Sequence, residues 1–258
     1  MPESGYSSRI IKAGALLLDT RLMLENWNRN ADVRSNLDRV RRENVLGKSS
    51  RSRVEDVLAI FRQRYLGDPD ILNALVVLAQ DGSDPETLGR LLYFQAARSD
   101  RLLHDVVTEL LFERSLRVDR RFRPAEVRRW ISDKVASGMT GKPWSEAVQL
   151  RAAQGLLATL RDFGVLEGSV NKQLAYLHLP AEAFAFTALQ LHLAGSSGRE
   201  LLDHPEWRLF LVPEGAAERL FLEAHSEGLL EYHAAGSVVR IDFPAETLEE
   251  YAHVLTRR

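Results

Sequence analysis

Residues 152–182 align without a gap on residues 216–246, a constant offset of 64. Ala152-Ala153 falls on Ala216-Ala217, Gly164-Val165-Leu166-Glu167 on Gly228-Leu229-Leu230-Glu231, and Pro180-Ala181-Glu182 on Pro244-Ala245-Glu246. Leu177 and Leu179 fall on Ile241 and Phe243, so the apolar positions keep one strand face. Chance identity between helical sequences is the competing explanation; glycine and proline landmarks at one offset favour a duplication. Each copy reads as a helix, a glycine stop, and a hairpin around a polar turn. Helix, helix and hairpin is the outline of a winged helix, so the C-terminal half is expected to hold two such units.

Upstream the pattern is helical. Ser7 or Ser8 caps a first helix expected to run to about Trp27, with Ile10, Leu17, Leu24 and Trp27 along one face. Asp32 caps the next, which Gly47 ends as a left-handed residue. Ser52 and Glu55 fit a capping box that opens a third helix at Arg53. Residues 71–79 are apolar nearly all round, as in a central helix. Asp84-Pro85 supplies a cap followed by a first-turn proline, and residues 102–111 are strongly amphipathic. No segment before about 115 alternates as a strand does. The expected fold is mainly α: an all-helical bundle over 1–117, then winged-helix-like units with short β-hairpins over 118–186 and 187–258.

Charge separates these parts. Net charge is −2 over 258 residues, but residues 1–64 hold 13 Lys/Arg against 8 Asp/Glu, whereas residues 190–258 hold 6 against 12. The basic end is the side suited to a polyanion, and the acidic unit is the better candidate for protein contacts. With no cysteine, disulfides and thiolate chemistry are excluded. No apolar run approaches the ~18 residues of a membrane span, and residues 1–5 lack the features of a signal peptide, so a cytoplasmic protein is expected.

No catalytic constellation emerges. Gly47-Lys48-Ser49 imitates the end of a P-loop, but Arg42 stands where the first glycine belongs and the preceding segment is helical. The seven histidines are scattered, and His225 and His233 are too far apart to share a helical face. No enzyme activity, cofactor or metal is expected.

The basic side chains remain. Lys48, Arg51 and Arg53 crowd a helix start that is already electropositive, beside the hydroxyls of Ser49 and Ser50. This suits a phosphate or another anion, and it equally suits a solvated basic loop. Arg41, Arg42, Arg98 and Arg101 add to the set. A second basic stretch, 114–134, carries eight Lys/Arg against three acids. The helix expected at 145–163 could enter a major groove, but only Arg151 and Arg161 make it basic, which supports phosphate contact more than base reading.

Tyr6-Ser7-Ser8-Arg9-Ile10, Gly14-Ala15-Leu16-Leu17, the block Leu46-Gly47-Lys48-Ser49-Ser50-Arg51-Ser52-Arg53 and the block Ala97-Arg98-Ser99-Asp100-Arg101-Leu102-Leu103 resemble BrxA, a component of BREX phage-defence systems. Leu157–Leu166 fits as well, so the resemblance covers about 5–185. It implies a small, mainly helical, non-enzymatic protein, similar in fold to the antitermination protein NusB and implicated in DNA binding. The expectation is a non-enzymatic accessory protein that binds double-stranded DNA through phosphates, using Arg41, Arg42, Lys48, Ser49, Ser50, Arg51, Arg53, Arg98 and Arg101. Two other readings stay open: an adaptor whose acidic C-terminal unit docks other BREX proteins, and an RNA-binding protein by analogy with NusB.

Overall fold

The computed structural model describes residues 5–169 and 171–258. Among them the chain forms α1 (Ile10–Ala13), α2 (Leu17–Glu25), α3 (Val33–Glu43), α4 (Arg51–Tyr65), α5 (Pro69–Gln80), α6 (Pro85–Ser99) and α7 (Arg101–Asp105). A π-helical segment, Val106–Leu111, continues α7 into α8 (Phe112–Ser115). Then come β1 (Arg121–Phe122), α9 (Pro124–Ala136), α10 (Glu146–Asp162), β2 (Leu166–Glu167) and β3 (Lys172–Leu174). The remainder is α11 (Ala181–Leu193), α12 (Arg199–Leu202), a 3-10 turn (Pro205–Phe210), α13 (Ala217–Ser226), β4 (Glu231–Ala235), β5 (Val238–Asp242) and α14 (Leu248–Thr256). The fold is mainly α with short antiparallel β elements.

Several helix starts follow from local chemistry. Asp32 accepts from the Ser35 amide, and Asp84 accepts from those of Glu86 and Thr87 with Pro85 in the first turn. These carboxylates satisfy donors that the helix itself leaves orphaned. Helix α5 is buried from Leu72 through Leu78 except at Asn73, as its all-round apolar sequence predicts.

The first helix is not continuous to Trp27. Gly14 and Leu16 adopt positive φ, 55° and 52°, and separate α1 from α2. The cause lies far along the chain: the Arg64 guanidinium donates to the Gly14 and Ala15 carbonyls at 2.8 Å each. Helix α3 ends earlier than expected, because Asn44 rather than Gly47 provides the left-handed C-cap. Helix α4 opens two residues early, with Ser50, not Ser52, as the cap: its Oγ accepts from the Arg53 amide at 3.3 Å. Glu55 is drawn away from any capping box by Arg41, whose Nε lies 2.6 Å from it.

Downstream, β1, β3 and β2 form an antiparallel sheet in that order, with Arg121 opposite Gln173 and Leu166 opposite Leu174. The order helix, strand, two helices, hairpin, with β1 beside the returning strand, frames α9 and α10. A second hairpin pairs β4 with β5, from Glu231–Asp242 to Ala235–Val238.

The 64-residue correspondence reappears in the backbone. The amide of Gly164 donates to Arg161 and that of Val165 to Leu160, at 2.9 and 2.8 Å; Gly228 donates to His225 and Leu229 to Ala224, both at 2.9 Å. The glycines have φ of 73° and 66°, a conformation in which a Cβ is strained. Each pair of bonds ends a helix and turns the chain into a hairpin.

A single apolar cluster reaches from Tyr6 to Leu255. Phe184 stacks on Trp207 and meets Phe221 edge-on, with ring centres 4.6 and 4.8 Å away. Polar ties also cross the chain: Tyr93 donates to the Leu209 carbonyl at 2.8 Å, and the buried amides of Gln95 and Gln190 exchange hydrogen bonds at 2.6 and 3.2 Å. Residue 186 lies inside α11, and α14 packs on α5.

Candidate nucleic-acid interface

The amino terminus of α4 holds the first group of basic side chains. Arg51 and Arg53 are exposed, and among the described residues neither forms an ion pair; Arg53 reaches the Lys12 carbonyl at 3.4 Å. Ser49 is exposed, and Ser50 caps the helix. The other cations nearby are paired. Lys48 lies 2.7 Å from Asp19, and Arg41 is held between Asp38 and Glu55 at 2.6 Å from each. The hydrogen bond to Arg41 is the main reason the Glu55 carboxyl is held below its ordinary range. Arg42 extends to Glu43 at 3.0 Å and is otherwise exposed.

Arg98 and Arg101 do not join this group. Gln63, near the other end of α4, donates to the Ser99 carbonyl at 3.1 Å. Twelve helical residues separate Gln63 from Arg51, about 18 Å along the axis. There Arg98 lies over the Phe94 ring and 3.9 Å from Glu206, while Arg101 lies 3.6 Å from Asp105.

These carboxylates are held mainly by His104. Its Nδ1 is 3.1 Å from Asp105 and its Nε2 is 3.3 Å from Glu206. Tyr6 donates its hydroxyl to Asp105 at 2.9 Å. The Asp105 hydrogen bond, then that of Glu206, pushes the His104 pKa up to about 9, so the imidazole is charged at neutral pH. Burial alone would raise both carboxyls, but their hydrogen bonds to His104 hold them below the ordinary range. The cluster joins the N-terminal segment, α7 and the turn at Pro205–Phe210.

A third group of cations was not among the nine expected site residues. Arg128, Arg129, Lys142 and Arg151 are exposed on or beside α9 and α10, and among the described residues none of them forms an ion pair; Arg123, also exposed, gives its backbone amide to Glu126 at 2.8 Å. An open cleft of about 550 Å³ lies between these helices, lined by Arg128 and Arg129, by the acids Asp133 and Glu146, and by Gln149 and Leu150. The composition of residues 114–134 carried the signal. What composition could not give was which arginines lack a partner: Arg114 is bound to Glu126 at 2.6 Å and Lys134 to Glu109 at 2.6 Å.

Helix α1 connects the first and third groups. It packs on both α4 and α10. A Cβ on Gly155 in α10 would come within 2.8 Å of the Ile10 carbonyl. Arg151 sits one turn before Gly155, so it lies on the same side of α10 as this contact. Lys12 is exposed on α1 and presents its carbonyl to Arg53.

His225 on α13 and His233 on β4 share no helical face; they flank the turn between these elements and meet edge-on with ring centres 5.8 Å apart. His225 Nδ1 accepts from the Tyr232 amide at 3.2 Å. Among the described residues no group of three or more His, Asp and Glu could hold a metal ion. No helix among them is long and apolar enough to cross a membrane.

Solved structures resemble this arrangement at low identity. "Magnesium ion-bound SspB crystal structure" matches with a TM-score of 0.59 and 18% identity, over 98% of this chain and 87% of that one. "SspB crystal structure" matches at 0.56 and 15%, over 96% and 88%. An uncharacterized protein from Magnetospirillum magneticum matches at 0.56 and 15%, over 80% and 97%. These likenesses concern the fold. A search of the curated proteins found no match. The sequence model of BrxA, in contrast, matches residues 4–189. That span holds all three basic groups, the helix α1 between the first and the third, and the sheet beside α9 and α10, and with it matched the chain belongs to the BrxA family.

Proposed function

We propose that this protein is a non-catalytic, cytoplasmic accessory component of a BREX antiviral system that binds double-stranded DNA through its phosphates. The observation that carries this reading is the set of exposed cations without an ion pair among the described residues, on two segments bridged by α1: Arg51 and Arg53 on α4, and Arg128, Arg129, Lys142 and Arg151 around α9 and α10. A cation already neutralised by a neighbour gains little from a phosphate, whereas an uncompensated one releases the counterions of the duplex. The strand order of β1, β3 and β2 supports treating residues 118–186 as a winged helix, with α10 toward a groove and the β2–β3 hairpin as the wing. Membership in the BrxA family supports the defence role.

The test is a mobility-shift titration of the full chain on two unrelated duplexes across a salt series. Affinity should fall as salt rises, and R128A/R129A should weaken both duplexes alike. No binding at low salt, or binding indifferent to salt, would sink the reading.

A second reading draws on the pairing of Arg41, Arg42, Lys48, Arg98 and Arg101 with nearby carboxylates. Under it the protein is an adaptor, and the acidic residues beyond 187 dock another BREX protein.

A further inference from the structure

Tyr176 is the aromatic side chain that the fold leaves in water. It is 85% exposed, whereas among the described residues every other Phe, Tyr and Trp is buried or half-buried. Among these residues its ring meets no other ring or cation, and its hydroxyl has no hydrogen-bond partner. The backbone beneath it is nevertheless fixed. The Ala175 amide donates to the Val165 carbonyl at 3.1 Å, and the His178 amide turns back to the Tyr176 carbonyl at 3.1 Å. Arg90 Nε donates to the His178 carbonyl at 2.8 Å, and Leu177 packs on the core. Packing gives no reason for a large ring to face solvent from so firm a turn.

A cation stands beside it. Arg120 is exposed and forms no ion pair among the described residues. Its carbonyl accepts from the Leu174 amide at 2.9 Å, and its guanidinium reaches the Ala175 carbonyl, next to Tyr176, at 3.5 Å. That single long contact leaves most of its N–H donors for a phosphate. The neighbouring acid is occupied: Asp119 accepts from the Arg121 amide at 3.1 Å and lies 3.4 Å from Arg121 Nε. From Arg120 the chain runs through β1 into α9, whose Arg128 and Arg129 belong to the proposed duplex-binding face. An exposed aromatic ring beside an uncompensated guanidinium suits single-stranded nucleic acid, whose bases stack on the one while its phosphates meet the other.

From this juxtaposition we propose that the junction of β1 and β3 binds an unpaired nucleotide, its base stacked on the Tyr176 ring and its phosphate against Arg120. The duplex face then continues into a site for a strand that has left the duplex. The site extends the duplex-binding reading without depending on it, because a free single strand, of DNA or RNA, offers the same groups.

Anisotropy titrations of the full chain test this with four labelled probes: a blunt duplex, the same duplex with a dT overhang, and single strands of dT and of rU about ten nucleotides long. The overhang should bind more tightly than the blunt end. Y176A should abolish that advantage and weaken the single strand about fivefold or more, while leaving the blunt duplex unchanged. Because the ring packs on nothing, this loss does not come from misfolding. Y176F, which keeps the ring, should bind as the native protein does, and R120Q should weaken the overhang and the strand together. If only the rU strand binds, and loses affinity in Y176A, the occupant is RNA and the site stands. If neither duplex binds but a strand does and needs Tyr176, the duplex-binding reading falls and the site stands. The proposal is overturned by equal affinity for the two duplexes with no binding of either strand, by Y176A matching native protein, by Y176F failing as Y176A does, or by Y176A weakening the blunt duplex as much as the overhang.

Discussion

Asp70 closes the amino terminus of α14 from 178 residues away: its carboxylate accepts from the Leu248 amide at 2.9 Å and from the Glu249 amide at 3.1 Å. Thr247 accepts from the Glu250 amide, so three successive orphan donors are satisfied by two elements distant in sequence. D70A should therefore lower stability by about 1–2 kcal/mol. Hydrogen exchange should accelerate first at the start of α14, and uniform acceleration across the chain would count against this local role.

The cluster around His104 sets a pH window. The folded-state pKa is raised from 6.5 to about 9, so its stabilising contribution is fully present below 6.5 and disappears as pH rises through 9. Asp105 and Glu206 are held low, so their share is present above the ordinary carboxyl range and disappears as pH falls through it. The contribution at neutral pH is about 2 kcal/mol, discounted for partial solvent access. Denaturant midpoints should fall between pH 7 and 10 in the native protein. H104Q should flatten that slope; an unchanged slope would contradict the assignment.

Gln95 and Gln190 satisfy each other in the core. Q95L leaves the Gln190 amide buried without its partner, at a cost of about 1–3 kcal/mol. The double variant Q95L/Q190L should recover most of that loss, because both polar groups leave together. Losses that simply add would show that the pair is not coupled.

Gly155 lets α1 lie directly on α10. In G155A the new methyl meets the Ile10 carbonyl, a backbone atom that cannot swing aside. A destabilisation of about 1–3 kcal/mol is expected. If α1 also bridges the two basic groups, duplex affinity should fall beyond what the melting temperature alone explains. An affinity matching native protein in the folded variant would separate α1 from binding.

Where a feature depended on neighbours in sequence, the residues disclosed it: the caps at Asp32 and Asp84, the buried α5, and the glycine stops at 164 and 228. Features set across the fold stayed hidden. The break after α1 depends on Arg64, some fifty residues later. Two serines stood within capping reach of α4, and Glu55, which favoured Ser52, is held by Arg41 from another helix. Strand β1 is two residues long and exists only because β3 returns beside it. The interface was harder still. Arg98, Arg101 and Arg51 look alike in sequence, yet the length of α4 sets them at opposite ends, while the unpaired cations of α9 and α10 are distinguished only by tertiary pairing.

The two glycine-ended turns, alike in backbone, carry unlike surfaces. The segment 118–186, which holds the first, carries ten Lys/Arg against seven Asp/Glu; the segment 187–258, which holds the second, carries six against twelve. Two segments of opposite net charge, built around similar turns, give the molecule a permanent dipole moment. In the field of a polyanion such a dipole experiences a torque before any contact forms, and the acidic segment turns outward. The charge separation would then act on encounter geometry, reducing the fraction of collisions that arrive facing the wrong way.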